Sequence, residues 1–364
     1  MEVPRLAEAA YAPLGRVSPR VSRVGFGCYR VDDRVAEHGR ALDAAIRAGI
    51  NLLDTSTNYA DGHSESLVGA ALADAFAGHR LPREDVVVVT KAGYLQGSNL
   101  AEALRRERAG RPWSEVVAYG PDLRHAISPD FLADQLTGSL RRLRLARVDV
   151  LLLHNPEYFL TDALHRGVPR DEARGAFYDR AARAFRHLES EVGAGRIRFY
   201  GVSSNTFVVP HERADAVSVT RLLECAGPGF AVVQLPFNPL ETGAREPVHT
   251  PDGRSVLDVA KAAGLGVLVN RPFNAFSRGG LVRFADLAPD ALAGAGRDAA
   301  WEKERVRELQ AWVTSAFAGA APAGGSLAQR TLRALLATTG VDVVLAGARR
   351  LDYVSDAVGA FAAG

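Results

Sequence analysis

The stretch Asp54-Thr55-Ser56-Thr57-Asn58-Tyr59-Ala60-Asp61-Gly62-His63-Ser64-Glu65-Ser66 joins two segments of different hydrophobic period. Before it, Ile50, Leu52 and Leu53 read as an apolar strand; after it, Leu67, Val68, Ala71 and Leu72 recur at helical spacing, with Ser64 as the expected cap. A carboxylate therefore closes a strand, and a phenol follows five residues later where strand meets loop. Two more strands end on polar residues: Val86-Val87-Val88-Val89-Thr90 on Lys91, and Val148-Asp149-Val150-Leu151-Leu152-Leu153 on His154. Residues at the carboxyl ends of parallel strands converge on a shared site, whereas those at the opposite end serve stability.

Working outward, strand signals recur at 24–28, 51–55, 86–91, 148–155, 199–204, 231–238, 265–271 and 341–347. Helical patterns lie between them at 40–48, 64–75, 129–143, 178–192, 212–223, 255–263 and 327–337. Regular alternation is the signature of a closed parallel sheet, so the expected fold is α/β, a single (β/α)8 TIM barrel domain over 1–364. Ahead of the first barrel strand, 15–18 and 21–24 read as a hairpin plugging the barrel bottom. Connections at about 93–128, 156–177 and 273–300, after strands 3, 4 and 7, exceed simple links. They are expected to wall the pocket, with Trp113, Tyr119, Tyr158, Phe159, Phe273 and Phe276 meeting something apolar.

At these residues the chain resembles the aldo-keto reductase superfamily, from Tyr11-Ala12-Pro13-Leu14-Gly15 to the last strand and helix. The family's Asp, Tyr, Lys and His tetrad falls on Asp54, Tyr59, Lys91 and His154. Each sits in its own motif: Asp-Thr-x-x-x-Tyr followed by Gly-x-Ser-Glu, then Thr-Lys, then Leu-Leu-His. The resemblance implies hydride reduction of an aldehyde or ketone to an alcohol, with NADPH (NADP) as cofactor. Hydride addition leaves negative charge on the carbonyl oxygen, so a proton donor must stand within reach of it. Tyr59 is the expected acid and Lys91 is expected to lower its pKa toward working pH. Asp54 is expected to hold Lys91, and His154 to orient the carbonyl.

The phosphate-binding glycine fingerprint is missing: Gly193-Ala194-Gly195 precedes a strand, and Gly264-Leu265-Gly266 lacks a third glycine, so both read as helix C-caps. His63-Ser64-Glu65 reads as turn and helix start, and no metal is expected. The resemblance places the nicotinamide amide on Gln234 and on Ser203, Ser204 or Asn205, with Ser203 preferred. It places the adenosine phosphate on Gly347-Ala348-Arg349-Arg350, which favours NADPH over NADH. Two stretches depart from the family. Asn270-Arg271-Pro272-Phe273 stands where an aromatic, Ser, Pro and Leu are common, and Asn270 cannot stack on nicotinamide. Around Tyr353 to Ala357 the usual adenine-binding amides are absent, so Tyr353 is expected to stack instead.

Hydrophobic residues make up 47% of the chain and charged residues 24%, enough for a large core. A net charge of +2 gives no electrostatic reason to expect nucleic acid or membrane as a partner. The run Arg141, Arg142, Arg144, Arg147 reads as cations complementing a helix C-terminus. Two cysteines, Cys28 and Cys225, are too few for a disulfide framework, and Cys28 reads as a packing residue. The expected partner is a small carbonyl or alcohol substrate, the expected location cytoplasmic, and monomer and homodimer both stand open. Two rival readings use the same residues: a barrel that binds nucleotide or a partner without turnover, and a redox-neutral elimination or cyclisation driven by Tyr59 and Lys91.

Overall fold

The computed structural model describes residues 3–277, 280–283, 311 and 325–362. The first elements are an antiparallel hairpin, β1 (Tyr11–Leu14) and β2 (Ser18–Ser22). Then come β3 (Val24–Gly27), α1 (Ala36–Arg47), β4 (Leu52–Asp54), α2 (His63–Ala77) and β5 (Val87–Ala92). An insertion follows, built of β6 (Tyr94–Leu95), α3 (Gly97–Arg108), β7 (Val117–Gly120) and β8 (Leu123–His125). Beyond it run α4 (Pro129–Leu143), β9 (Val148–His154), α5 (Tyr158–His165), α6 (Arg170–Gly193), β10 (Ile197–Ser203), α7 (Val219–Cys225) and β11 (Phe230–Pro236). The chain continues through α8 (Val256–Ala262), β12 (Gly266–Asn270), a hairpin of β13 (Asn274–Ser277) and β14 (Gly280–Arg283), α9 (Leu327–Ala337), β15 (Val343–Ala346) and α10 (Leu351–Gly359).

Eight of these strands close a parallel barrel in the order β3-β4-β5-β9-β10-β11-β12-β15, with β15 pairing back to β3. Strands buried on both faces need apolar side chains throughout, which is why β9 reads Val-Asp-Val-Leu-Leu-Leu-His with every position buried. Alternate residues point inward: Leu52, Val89, Val150, Leu152, Val232, Leu268 and Val343 fill the barrel together with Leu14, Val17 and Val21 of the hairpin. The other set, including Leu53, Val88, Leu151 and Leu153, belongs to the core shared with the helices. The hairpin does plug the bottom, though with its strands shifted: residues 15–17 form the turn and 11–14 the first strand. Gly15 takes φ +45°, and a Cβ there would stand 2.6 Å from the Gly266 nitrogen, so the turn needs glycine for both conformation and clearance.

Other boundaries moved for local reasons. Ser64 does not cap α2; Gly62 at φ +88° occupies that position, and the Ser64 hydroxyl is buried against Thr55 Oγ1 (2.8 Å) and the Cys28 carbonyl (3.0 Å). The connection 156–177 is largely helical, holding α5 and the start of α6. Helix α7 begins only at Val219, where Ser218 caps it by accepting from the Arg221 N–H. The insertion at 93–128 carries a three-stranded sheet, β6-β8-β7. The third insertion begins with the β13–β14 hairpin, and 284–300 lies outside the described residues. No described helix is long and apolar enough to cross a membrane.

Candidate active site

The carboxyl ends of the barrel strands open on a cavity of about 540 Å³. Asp54, Lys91 and His154 stand at the ends of β4, β5 and β9, and Tyr59 follows in a short 3-10 turn, Tyr59–Gly62. Lys91 is fully buried; its Nζ donates to Asp54 Oδ2 (2.7 Å), to the Thr55 carbonyl (2.9 Å) and to the Tyr59 hydroxyl (3.3 Å). The turn after Tyr59 is conformationally costly: Ala60 and Asp61 take φ +47° and +56°, a region worth about 1–3 kcal/mol of strain per residue for side chains with a Cβ. Asp61 Oδ1 secures it by accepting from the Ser98 N–H (2.9 Å) and hydroxyl (2.7 Å) at the start of α3. Asn155 and Arg271, next to the ends of β9 and β12, also have positive φ.

Burial and charge set the protonation states. Desolvation pushes the Tyr59 phenol up to about 12, with the Lys91 ammonium pulling it down without overcoming that effect. Burial works against a charge on Lys91, yet the Asp54 carboxylate and Tyr59 hold its pKa above the ordinary value. Asp54 is itself pushed up by burial, opposed by Lys91 and Gln234. His154 is held well below the usual histidine range, first by burial and then by the neighbouring Lys91 charge, so it is neutral. Its Nδ1 lies 3.1 Å from Ser56 Oγ, which also meets Asn58 Oδ1 at 2.7 Å. The expected lowering of the Tyr59 pKa toward neutrality is thus reversed, because dehydration of the phenolate outweighs one nearby cation.

The remaining candidates divide. Ser203, Asn205, Asn270, Arg271, Gly347, Arg349 and Tyr353 line the cavity. Arg271 Nη2 donates to Asn205 Oδ1 at 3.2 Å and pairs with Glu241 at 3.4 Å. Gly347 is open, with no atom within 4 Å of the place a Cβ would take. Ser204 is buried behind the wall, its hydroxyl accepting from the Thr206 N–H. Arg350 is outside the lining and forks onto Asp352 at 3.0 Å. Gln234 is buried and outside the lining, donating to Asp54 Oδ1 at 2.8 Å.

Sequence reading missed Tyr94 in the wall and Glu157, which supports the wall residue Asn205. Tyr94 packs edge-on against His154 with ring centroids 4.6 Å apart and accepts from Asn155 Nδ2 at 2.7 Å. Glu157 is buried with its pKa pushed up to about 7, burial overriding its hydrogen bonds, and it accepts from the Asn205 N–H at 2.8 Å. The one signal for both was proximity to a strand end. Of the expected apolar wall, Tyr158 and Phe273 line the cavity, whereas Trp113 is buried against Phe131 and the Phe276 side chain lies outside the described residues. His63 pairs with Asp33 at 2.7 Å, while Glu65 faces Thr90 and Arg142, so the two serve different contacts. The Cys28 thiol is buried and its pKa raised by that burial, which suits packing.

A family model described as Aldo/keto reductase family matches residues 23–363. The chain belongs to the aldo/keto reductase family. Among similar aldo/keto reductases and relatives, an NADH-specific methylglyoxal reductase of Escherichia coli is 33% identical over 151 residues, covering 39% of this chain and 40% of that protein. A 6-dehydroglucose reductase of Novosphingobium aromaticivorans is 25% identical over 329 residues, 87% of this chain and 86% of that protein. The solved aldo-keto reductase AKR11C1 of Bacillus halodurans, in its holo form, shares the fold. Its TM-score is 0.61 at 22% identity, over 97% of this chain and 91% of that one.

Proposed function

We propose that this aldo/keto reductase is a single-domain enzyme that reduces an aldehyde or ketone to an alcohol with NADPH. The observation that carries the reading is the buried Lys91 bonded at once to Asp54 and to the Tyr59 hydroxyl, at the edge of the cavity. The residues present suit a nicotinamide nucleotide: amides and hydroxyls of Ser203, Asn205 and Asn270 line one part of the cavity, and open Gly347 with Arg349 lines another. A bound reduced nicotinamide would supply the hydride.

The chain's own residues handle the proton. Tyr59, protonated through neutral pH, donates from its hydroxyl to the carbonyl oxygen as negative charge develops there. Lys91, 3.3 Å away, stabilises the phenolate left behind, and Asp54 keeps Lys91 in place. Neutral His154, anchored through Nδ1 to Ser56 Oγ at 3.1 Å, fixes the approach of the carbonyl. Tyr94, Tyr158 and Phe273 exclude water from the reacting centre.

NADH is a second reading with its own support. Asp356 lines the same part of the cavity as Arg349, and a carboxylate there accepts from a ribose hydroxyl while repelling a phosphate. The relative from Escherichia coli carries an NADH-specific name. Titrating purified protein with NADPH and with NADH, read by reduced-nicotinamide fluorescence and thermal shift, decides between them. Tyr59→Phe is expected to keep cofactor affinity and lose turnover by about 10²-fold or more. Failure to bind either nucleotide, or wild-type turnover in Tyr59→Phe, overturns the reading in favour of a binding module or redox-neutral chemistry.

A further inference from the structure

Apart from the active site, a cavity of about 380 Å³ lies between α6, the start of α7 and the connections that leave β10 and β11, and no described residue lines both. Its described lining carries three guanidinium groups, Arg174, Arg221 and Arg254, against one carboxylate, Asp252. Arg254 pairs with Asp252 and Arg221 with Glu224, each at 2.9 Å, in exposed pairs that hold weakly and yield readily. Arg174, half-buried on α6, has no hydrogen-bonded carboxylate among the described residues. Its Nη2 donates to the carbonyls of His211 (2.8 Å) and Arg213 (2.7 Å), which leaves Nη1 unbonded. Its Nε and the Thr220 hydroxyl oxygen are shielded from water and also lack partners among the described residues. Burial first, then the Arg170 charge, pull the Arg174 pKa below the ordinary guanidinium value. The cation is therefore left without the counter-charge that its setting calls for.

We propose that this cavity is a separate binding site for a small phosphate monoester, whose phosphoryl group is held by Arg174 with Arg221 and Arg254 beside it. The unbonded Nη1 of Arg174 donates to one phosphoryl oxygen, and the other two arginines reach further oxygens as their exposed pairs open. A phosphoryl group fits three converging cations better than a carboxylate does, because it brings three oxygens and close to two negative charges at neutral pH. The cavity is larger than a free phosphate needs and falls within the roughly 300–1,000 Å³ of small-molecule sites. Tyr178, Ala216, Val217 and Pro251 supply apolar surface for the organic part of the ligand. The site goes beyond the reductase reading and does not depend on it.

Isothermal titration of the purified full chain with phenyl phosphate, which has no carbonyl to reduce, tests the site; inorganic phosphate and phenol are the companion probes. Phenyl phosphate is expected to bind saturably and at least about tenfold more tightly than inorganic phosphate, and phenol to give no saturable heat. Arg174→Gln is expected to weaken phenyl phosphate binding about tenfold or more, and the exposed Arg221→Gln about threefold. Arg349→Gln, altered in the active-site cavity, is expected to bind phenyl phosphate as wild type does. Binding that survives in Arg174→Gln and is lost in Arg349→Gln would assign the phosphate to the active-site cavity and overturn the proposal. Absence of binding to wild type overturns it outright, and equal affinity for inorganic phosphate rejects an organic ligand in favour of a free oxyanion. Should Arg174→Gln fail to fold, Arg221→Gln decides, and an unchanged affinity there rejects the site.

Discussion

Tyr59 carries opposing influences, and their balance fixes how rate should follow pH. With its pKa pushed up to about 12, the phenol is protonated through neutral pH, so on the proposed reading reduction should be flat there and fall only toward the alkaline extreme. Alcohol oxidation needs the phenolate, so it should climb with pH over the same range; kcat measured in both directions checks the pair. Lys91→Met removes the cation beside the phenol and strands Asp54, and turnover should drop by about 10²-fold or more in a steady-state assay. That Asp54, Tyr59, Lys91 and His154 come together was legible because strand ends on a closed parallel sheet must converge. What remained hidden depends on three-dimensional surroundings: the size of the dehydration effect on Tyr59, and the direction in which the Gln234 amide points.

Among the elements, α2 and α4 are joined by an ion pair that sequence patterning disguised. Glu65 is fully buried, accepting from Thr90 Oγ1 at 2.5 Å and from Arg142 Nε at 2.7 Å. The arginine run was read as a cationic helix end, yet Arg142 reaches across 77 positions of chain to Glu65. Arg142→Met would leave that carboxylate buried and unpaired by its cation, costing about 3–5 kcal/mol, whereas the exposed Arg141→Met should cost under about 0.5 kcal/mol. Chemical denaturation of the two variants separates them. All eight barrel strands were readable from continuous apolar runs. The helices were less so where a cap set the boundary: Ser218 starts α7 later than its apolar spacing suggests.

For the whole molecule, buried imidazoles govern the response to acid. His125 and His249 have pKa values of about 4, lowered from 6.5 chiefly by burial, and His154 is lowered further. Unfolded histidines take up protons as pH falls through about 6.5 while the folded ones do not, so stability declines over that window, by up to about 3 kcal/mol for each of the first two. Glu157 has the opposite sign: its raised pKa lets the folded state keep a proton the unfolded state has released, so acidification from about 7 restores some stability. Asp54 and Asp342, also raised by burial, share that sign, while His187, lowered by burial, joins the other histidines; the histidines titrate through the middle of this window, and Tm should fall between pH 7 and pH 5 in calorimetry. An unchanged or rising Tm would contradict these burial effects.

The seam of the barrel sets a timetable. Val24 of β3 pairs with Val344 of β15, and the hairpin packs its Leu14, Val17 and Val21 against Val343 and Leu345. At about 5–20 residues per second, a ribosome delivers the later partner roughly 16–64 s after the earlier one. Through that interval the first strands have one edge unpaired and an apolar lining uncovered. Synthesis is therefore the stage at which this protein is most open to wrong partners, and chaperone capture of nascent chains stalled short of β15 should be far stronger than of finished chains.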